Sequence, residues 1–541
     1  MKRDIELPQG KRKPFYRFFE ILPGAVSYGA IILLFVFSLV DPVLGAVYLF
    51  ILIASTLVKA IGIAFRTVQG YGVMRRAMRV DWRKRMEDLA HPSEAYERVR
   101  DDESRSYHHG EHVENLQMMS SKVGEYPDPE KIYHAVIVTV YDEPAEVLMP
   151  TLTAVAETTF PNERIIVMLA YEERGGAATE EMAMELARKF RGVFYDFVAV
   201  KHPANLPGEV KGKGPNLTYA GEKLGKYVKE KKIPIENVIV TSLDSDNRMH
   251  EKYLDAVAYE FVTRHDRQHL AYQPVSLFTN NIWDAPAPTR VIAVSNSFFN
   301  VISTMRPHVL RNFASHSQPL AALAAMGYWS KRTIVEDGHQ YWRSLFFFGG
   351  DYAVLPIRVP IYQDAVIGDN FWQTVKAQFV QVRRWDYGAS DVAYVGTRLF
   401  ARKDKRPMSF YKLWPKFWRL LDGHVTLAIM APIVTAGGWV PMLMNASAHT
   451  MVGYNLPNIV SVVETIASVG VLVTVLISFR MLPKRPAKYR KGKEIFMVLQ
   501  WVLMPITSLI YQSLAAFYAQ TRLMFGKYME KFDVTKKVIR K

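Results

Sequence analysis

The chain reads as an α/β domain with a Rossmann-like, mostly parallel sheet, placed on the cytosolic side of a membrane between α-helical transmembrane segments. Three observations predict this. Apolar runs long enough to cross a bilayer lie at both ends, around a charged stretch of roughly 300 residues. Within that stretch, β-branched runs alternate with helical patterns. Basic clusters sit beside the apolar runs, as cytoplasmic flanks do.

Each apolar run can be placed in turn. Gly24 to Val40 and Val43 to Phe65 are separated by Asp41-Pro42. A bilayer needs about 20 helical residues, so each run is long enough to cross, the first slightly short. No small-residue cleavage site follows the first run, which argues against a signal peptide. Basic flanks on both sides put residues 1–23 and the connector 66–129 in the cytosol, with a transmembrane hairpin at 24–65. Residues 401–423 alternate aromatics with Lys and Arg, as an interfacial helix does. Residues 424–480 hold two further spans, about Val425 to Met444 and Ile459 to Phe479, and 481–494 return to the cytosol. The run 495–525 is interrupted by Pro505 and followed by a basic tail, 526–541. It either crosses once or folds as a re-entrant pair, and the positive-inside bias favours the pair.

A net charge of +16 beside such runs indicates contact with anionic membrane lipids and does not call for nucleic acid. Cysteine is absent, which excludes disulfides and cysteine-ligated metals.

Residues 130–400 carry the α/β pattern. Strands are expected at His134–Tyr141, Arg164–Ala170, Val193–Val200 and Asn237–Leu243, and helices at Ala145–Thr158, Thr179–Phe190 and Asn216–Lys231. Residues 86 to 128 read as a surface connector. Ligands of parallel sheets lie beyond the carboxyl ends of the strands. Tyr141-Asp142-Glu143, Glu172-Glu173-Arg174 and Asp244-Ser245-Asp246 all fall there.

Three constellations carry possible chemistry. Asp244 and Asp246 suit either a solvated turn or a divalent cation, Mg²⁺ or Mn²⁺, with its bound diphosphate; their place at a strand end favours the cation. Glu336 and Asp337 open a helix. They serve either as cap and dipole partner or, at Asp337, as a general base for a hydroxyl. Gln381, Arg384 and Trp385 suit either an interfacial helix or a diphosphate clamp with a flat sugar platform.

In this order, between membrane spans, these elements resemble the membrane-embedded family-2 glycosyltransferases, the group of cellulose and hyaluronan synthases. The resemblance covers about residues 130 to 400 and implies a GT-A-like fold. Asp244 and Asp246 match the family's metal-binding Asp-x-Asp, and Asp337 its base, with Val335 in place of Thr in the Thr-Glu-Asp motif. Gln381, Arg384 and Trp385 match Gln-x-x-Arg-Trp, which implies Arg384 at the diphosphate and Gln381, Trp385 and Glu336 on the acceptor side. Tyr141 and Glu143 match a nucleotide-binding motif in which Asp142 replaces Asn. Lys213 matches a lysine near the diphosphate. The family's base-contacting Asp is missing, so either Glu172 or Glu173 serves or the contact is lost.

The resemblance implies an inverting hexosyltransferase of the plasma membrane, working from a nucleotide-sugar donor on a growing polysaccharide, with export through the spans as an accompaniment. Transfer of one sugar to a lipid-linked acceptor is the alternative, and a non-catalytic scaffold or transporter a third reading.

Overall fold

The computed structural model describes residues 5–531, apart from residues 103 and 123 and most of 445–474. The expected span at Ile459–Phe479 therefore lies largely outside the described residues.

Eight strands form one sheet: β1 (Tyr133–Val140), β2 (Ile165–Glu172), β3 (Asp196–His202), β4 (Val238–Asp244), β5 (Arg248–Met249), β6 (Leu270–Phe278), β7 (His316–Pro319) and β8 (Ala353–Gln363). Their order is β3-β2-β1-β4-β7-β6-β8-β5. The first four are mutually parallel, β7 runs antiparallel to β4 and β6, and β6 and β8 are again parallel. Every residue of β2 is buried, as expected for a strand covered on both faces. β3 begins at Asp196, three residues later than expected, because residues 191–195 form the turn that closes the preceding helix.

The apolar helices begin with α1 (Pro14–Val40) and α2 (Pro42–Arg79). They meet at the Asp41-Pro42 break, where the Asp41 side chain accepts from Val43 N at 2.8 Å. α3 (Trp82–Ala90), α4 (Pro92–Val99) and α5 (His109–Ser121) follow. The connector is thus no loose surface segment. Trp82, Met86, Leu89, Ala95, Leu116 and Met119 join the core beneath the sheet. Their helical spacing is diluted by charged residues, so it escapes a reading by composition.

Around the sheet lie α6 (Ala145–Ala156), α7 (Ala177–Lys189), α8 (Lys213–Glu230), α9 (Tyr253–Val262), α10 (Ala287–Thr304) and α11 (Leu320–Met326). Next come α12 (Glu336–Phe347), α13 (Phe371–Asp386) and α14 (Asp391–Leu399). The expected interfacial helix and third span are one helix, α15 (Phe410–Ala436), with Tyr411, Trp414 and Trp418 exposed on its early turns.

α1, Phe410–Met444 and Lys493–Met524 are each long and apolar enough to cross a membrane. Lys493–Met524 follows a single helical path with no reversal at Pro505. The ladder adapts to the missing proline N–H through a 3-10 turn at Gln500–Leu503 and a π segment at Ser508–Leu514. Both of its ends touch the α/β domain. Lys493 Nζ donates to Trp283 O at 2.8 Å, and just beyond the other end Met529 N donates to Tyr387 Oη at 3.2 Å. In between, Tyr511 Oη reaches Val375 O of α13 at 3.4 Å. The helix therefore lies along the domain, with Ile495, Phe496, Leu499, Val502 and Ile506 exposed on its outer side.

Candidate active site

The strand ends come first. β1 and β4 are parallel neighbours with Thr139 opposite Asp244, so the turns after them emerge side by side. Glu143 ties the two together, accepting from Tyr141 N at 2.8 Å and from Ser245 Oγ at 3.0 Å. One oxygen serves each turn, so Glu143 fixes the loop geometry, and Tyr141 is left to face the cavity.

Lys213 is the first residue of α8, and its Nζ lies 2.6 Å from Asp244 Oδ1. Burial works against its charge, but Asp244, Glu336 and Asp337 outweigh this and raise its pKa. Asp246 is buried; its Oδ2 accepts from Asp364 N at 3.4 Å and its carbonyl from Asn280 Nδ2 at 3.0 Å. Among the described residues no group of three His, Cys, Asp or Glu forms a ready-made metal site. Two carboxylates one residue apart still fit Mg²⁺ or Mn²⁺, which commonly combine one or two carboxylates with substrate phosphate oxygens and water. The set suits a cation completed by its diphosphate.

Glu172 is buried, and its Oε2 accepts from Arg174 Nε and a terminal guanidinium nitrogen at 3.0 and 2.7 Å. Arg174 in turn lies 5.6 Å from the Tyr141 ring centroid. Glu172 lines the cavity, yet its oxygen is spent on holding Arg174 against Tyr141. Arg174 escaped sequence reasoning because an arginine in a charged turn carries no distinguishing signal.

Glu336 and Asp337 occupy the first turn of α12 and differ sharply. Asp337 is half-buried, accepting from Ala314 N and Gly338 N, each at 2.7 Å. Ala314 has φ 31°, a left-handed conformation unusual for a residue with a side chain. It aims its N–H at the carboxylate, and such strain collects at functional sites. Glu336 is fully enclosed, and its Oε2 has no hydrogen-bond partner. Burial first, and the neighbouring Asp337 charge second, push its carboxyl up to about 8. The N-terminal turn of α8 lies directly over it. A Cβ at Gly214 would fall 2.4 Å from Ser330 O and 3.0 Å from Glu336 Cβ, so only glycine fits. His316 is buried near the same carboxylates, and burial pushes its imidazole down to about 4, leaving it neutral.

α13 supplies Gln381, Arg384 and Trp385 to the same cavity. Gln381 Oε1 accepts from Gln378 Nε2 at 3.2 Å, and the Trp385 ring lies 6.1 Å from that of Phe278. The positive charge of Arg384 acts on Glu336.

The cavity, about 970 Å³, joins eleven sequence-derived candidates: Tyr141, Glu143, Glu172, Lys213, Asp244, Asp246, Glu336, Asp337, Gln381, Arg384 and Trp385; Glu173, which accepts from Ala204 N at 2.8 Å, does not line it. It continues past Phe299 and Arg311 to His424 and Leu427 of α15 and to Tyr511 and Gln512. Lys531, bridged to Lys211, closes the other side. These additions arise from packing between distant segments and have no local sequence signature.

No protein-family model and no curated protein matches the chain. Solved structures to which it is similar include the mannosyltransferase PcManGT from Pyrobaculum calidifontis in complex with GDP-Man and Mn²⁺. The identity is 14% over 84% of this chain and 100% of that one, with TM-score 0.40. A 1–349 fragment of S. aureus TarS with UDP gives 12% identity over 67% and 95%, with TM-score 0.30. GalNAc-T7 with UDP, GalNAc and Mn²⁺ gives 11% over 54% and 58%, with TM-score 0.33. Likeness of this degree leaves the chemistry to be argued from the site itself.

Proposed function

We propose that the chain is an inverting membrane glycosyltransferase that moves a sugar from a nucleoside-diphosphate donor to a growing polysaccharide. One observation carries the reading: an Asp-x-Asp turn braced by a buried lysine and a carboxylate open at a helix start line the same cavity. The donor diphosphate would lie at the strand ends, with Lys213 and Arg384 meeting its charge. Asp244 and Asp246 would hold Mg²⁺ or Mn²⁺, which when bound supplies further charge stabilisation to the departing diphosphate. On the acceptor side, the hydroxyl oxygen attacks the anomeric carbon as the bond to the diphosphate breaks, and Asp337 takes the proton. A single displacement inverts the anomeric centre. Trp385 offers a flat face for the acceptor sugar.

A second reading, transfer of one sugar to a lipid carrier, is supported by the cavity's extension to Leu427, Tyr511 and Gln512 on membrane-facing helices. Product analysis with purified protein separates the two. A ladder of chain lengths supports the polymer, a single lipid-linked sugar supports the carrier, and no nucleotide release from any donor refutes both.

A further inference from the structure

Four arginines, Arg66, Arg306, Arg311 and Arg419, lie near one another where α2, α10 and α15 meet, Arg311 alone of them lining the cavity, and none forms an ion pair with an acidic residue among those described. Packing places them there. A Cβ at Gly70 of α2 would fall 2.6 Å from Val301 Cγ1 and 3.1 Å from Met305 Cγ, so α2 presses on the end of α10. Arg66 lies one turn before Gly70, and Arg306 follows Met305 directly. Lys59 Nζ reaches Asp422 Oδ2 at 3.2 Å and Thr426 Oγ1 at 3.1 Å, which holds α15 against α2, and Arg419 lies one turn before Asp422. Arg66 and Arg419 act on Arg306, and Arg419 acts also on Arg311. The carboxylate acting on Arg311 is Asp391, whose Oδ1 is already 2.6 Å from His339 Nδ1. The guanidinium of Arg311 otherwise rests 5.9 Å from the Trp342 ring centroid and lines the cavity.

Arg66, Arg306 and Arg311 are half-buried and Arg419 is exposed; neighbouring cations with so little acidic charge beside them repel one another unless an anion joins them. Guanidinium groups suit phosphate oxygens in particular. The surroundings favour a phosphate carried on hydrocarbon: Phe65, Val68 and Phe299 on α2 and α10 are 70%, 51% and 53% exposed. General attraction to anionic headgroups explains exposed basic residues. It does not explain Arg311, which lies inside the cavity three residues before Ala314, the donor to Asp337.

We propose that Arg66, Arg306, Arg311 and Arg419 hold the phosphate of a lipid-borne acceptor, anchoring the chain whose hydroxyl reaches Asp337. This rests on the transferase reading for what happens at Asp337, and it applies whether one sugar or many are added.

The test is equilibrium binding of radiolabelled farnesyl phosphate to the full chain in neutral detergent. Saturable binding is expected, resisted neither by equimolar farnesol, inorganic phosphate nor phosphatidylglycerol. Arg311→Gln and Arg306→Gln should each weaken it at least about tenfold, as loss of a charge-assisted contact does, while nucleoside-diphosphate binding is unchanged. Equal competition by farnesol, by inorganic phosphate or by phosphatidylglycerol overturns the proposal, assigning the binding to the hydrocarbon, to a free-anion site or to generic headgroup contact respectively. Unchanged affinity in both variants overturns it as well. Nucleotide release into water, measured on the same samples, separates the two claims. Release without farnesyl phosphate binding refutes this inference alone, and binding without release refutes the transferase reading alone.

Discussion

Replacing Asp337 by Asn tests the chemistry with little change of shape. In the native site each carboxylate oxygen accepts one backbone N–H, from Ala314 and from Gly338. Asparagine keeps one acceptor and turns an NH₂ towards the other N–H, so one of these hydrogen bonds is lost. That loss costs about 1–3 kcal/mol of stability. Loss of a general base costs more where it counts: about 10²–10⁴ in rate, or roughly 3–5 kcal/mol of barrier. The two effects are read by different assays. Thermal unfolding should show a modest decrease, nucleoside-diphosphate binding should stay near normal, and initial transfer rates should fall by at least about a hundredfold. Should Asp337→Asn keep more than about a tenth of the native rate, the base must be another carboxylate.

Other expectations follow from the neighbouring groups. Glu336 has its folded pKa raised from 4.5 to about 8, so the stability it contributes is fully present below pH 4.5 and is lost as pH rises through 8. Glu336→Gln should therefore be more stable than the native chain at pH 9, by up to a few kcal/mol at about 1.4 kcal/mol per pKa unit, with the gain gone at pH 4. Equal unfolding midpoints at pH 9 would contradict the burial argument. Chelation should abolish turnover, and Asp246→Asn should weaken nucleotide binding as well as rate; full-rate transfer in chelator removes the cation from the site. Cysteines placed at Ser104 and Lys488 should resist impermeant reagents in intact cells, and labelling at Ser104 would put the α/β domain on the wrong side for nucleotide sugars. A cysteine at Ser447 should label, because residues 445–458 carry no Lys or Arg and are expected outside; most of them lie beyond the described residues.

Much of the fold was legible because its signals are local. The β-branched runs of β1, β2 and β4 and the acidic residues that end them are contiguous, so both the strands and the Asp244–Asp246 turn could be read directly. The candidate residues lie around one cavity, and their partners come from other segments. Glu143 and Glu172 both line the cavity, and each also holds a neighbour, Glu143 through Ser245 and Glu172 through Arg174. Charge in a turn reveals where a carboxylate is, whereas its partner is fixed by which strands lie side by side. The same limit hid α3–α5, whose buried residues are scattered among charges, and it hid Arg311, whose neighbours come from α15 and α12. Of the two paths open to Lys493–Met524, a single helix is the one formed. Pro505 reads as a break in a sequence, but its missing N–H is absorbed by changes in helical pitch on either side.

Breaking the bond between a sugar and a nucleoside diphosphate is the step on which the proposed transfer depends. It is tested most directly by presenting the purified full chain, in lipid and with Mg²⁺ or Mn²⁺, to a panel of nucleotide sugars and measuring the nucleoside diphosphate released. At least one donor should be turned over, with release suppressed by chelator and by Asp337→Asn. No release from any donor, with membrane lipid extract supplied as acceptor, would contradict it.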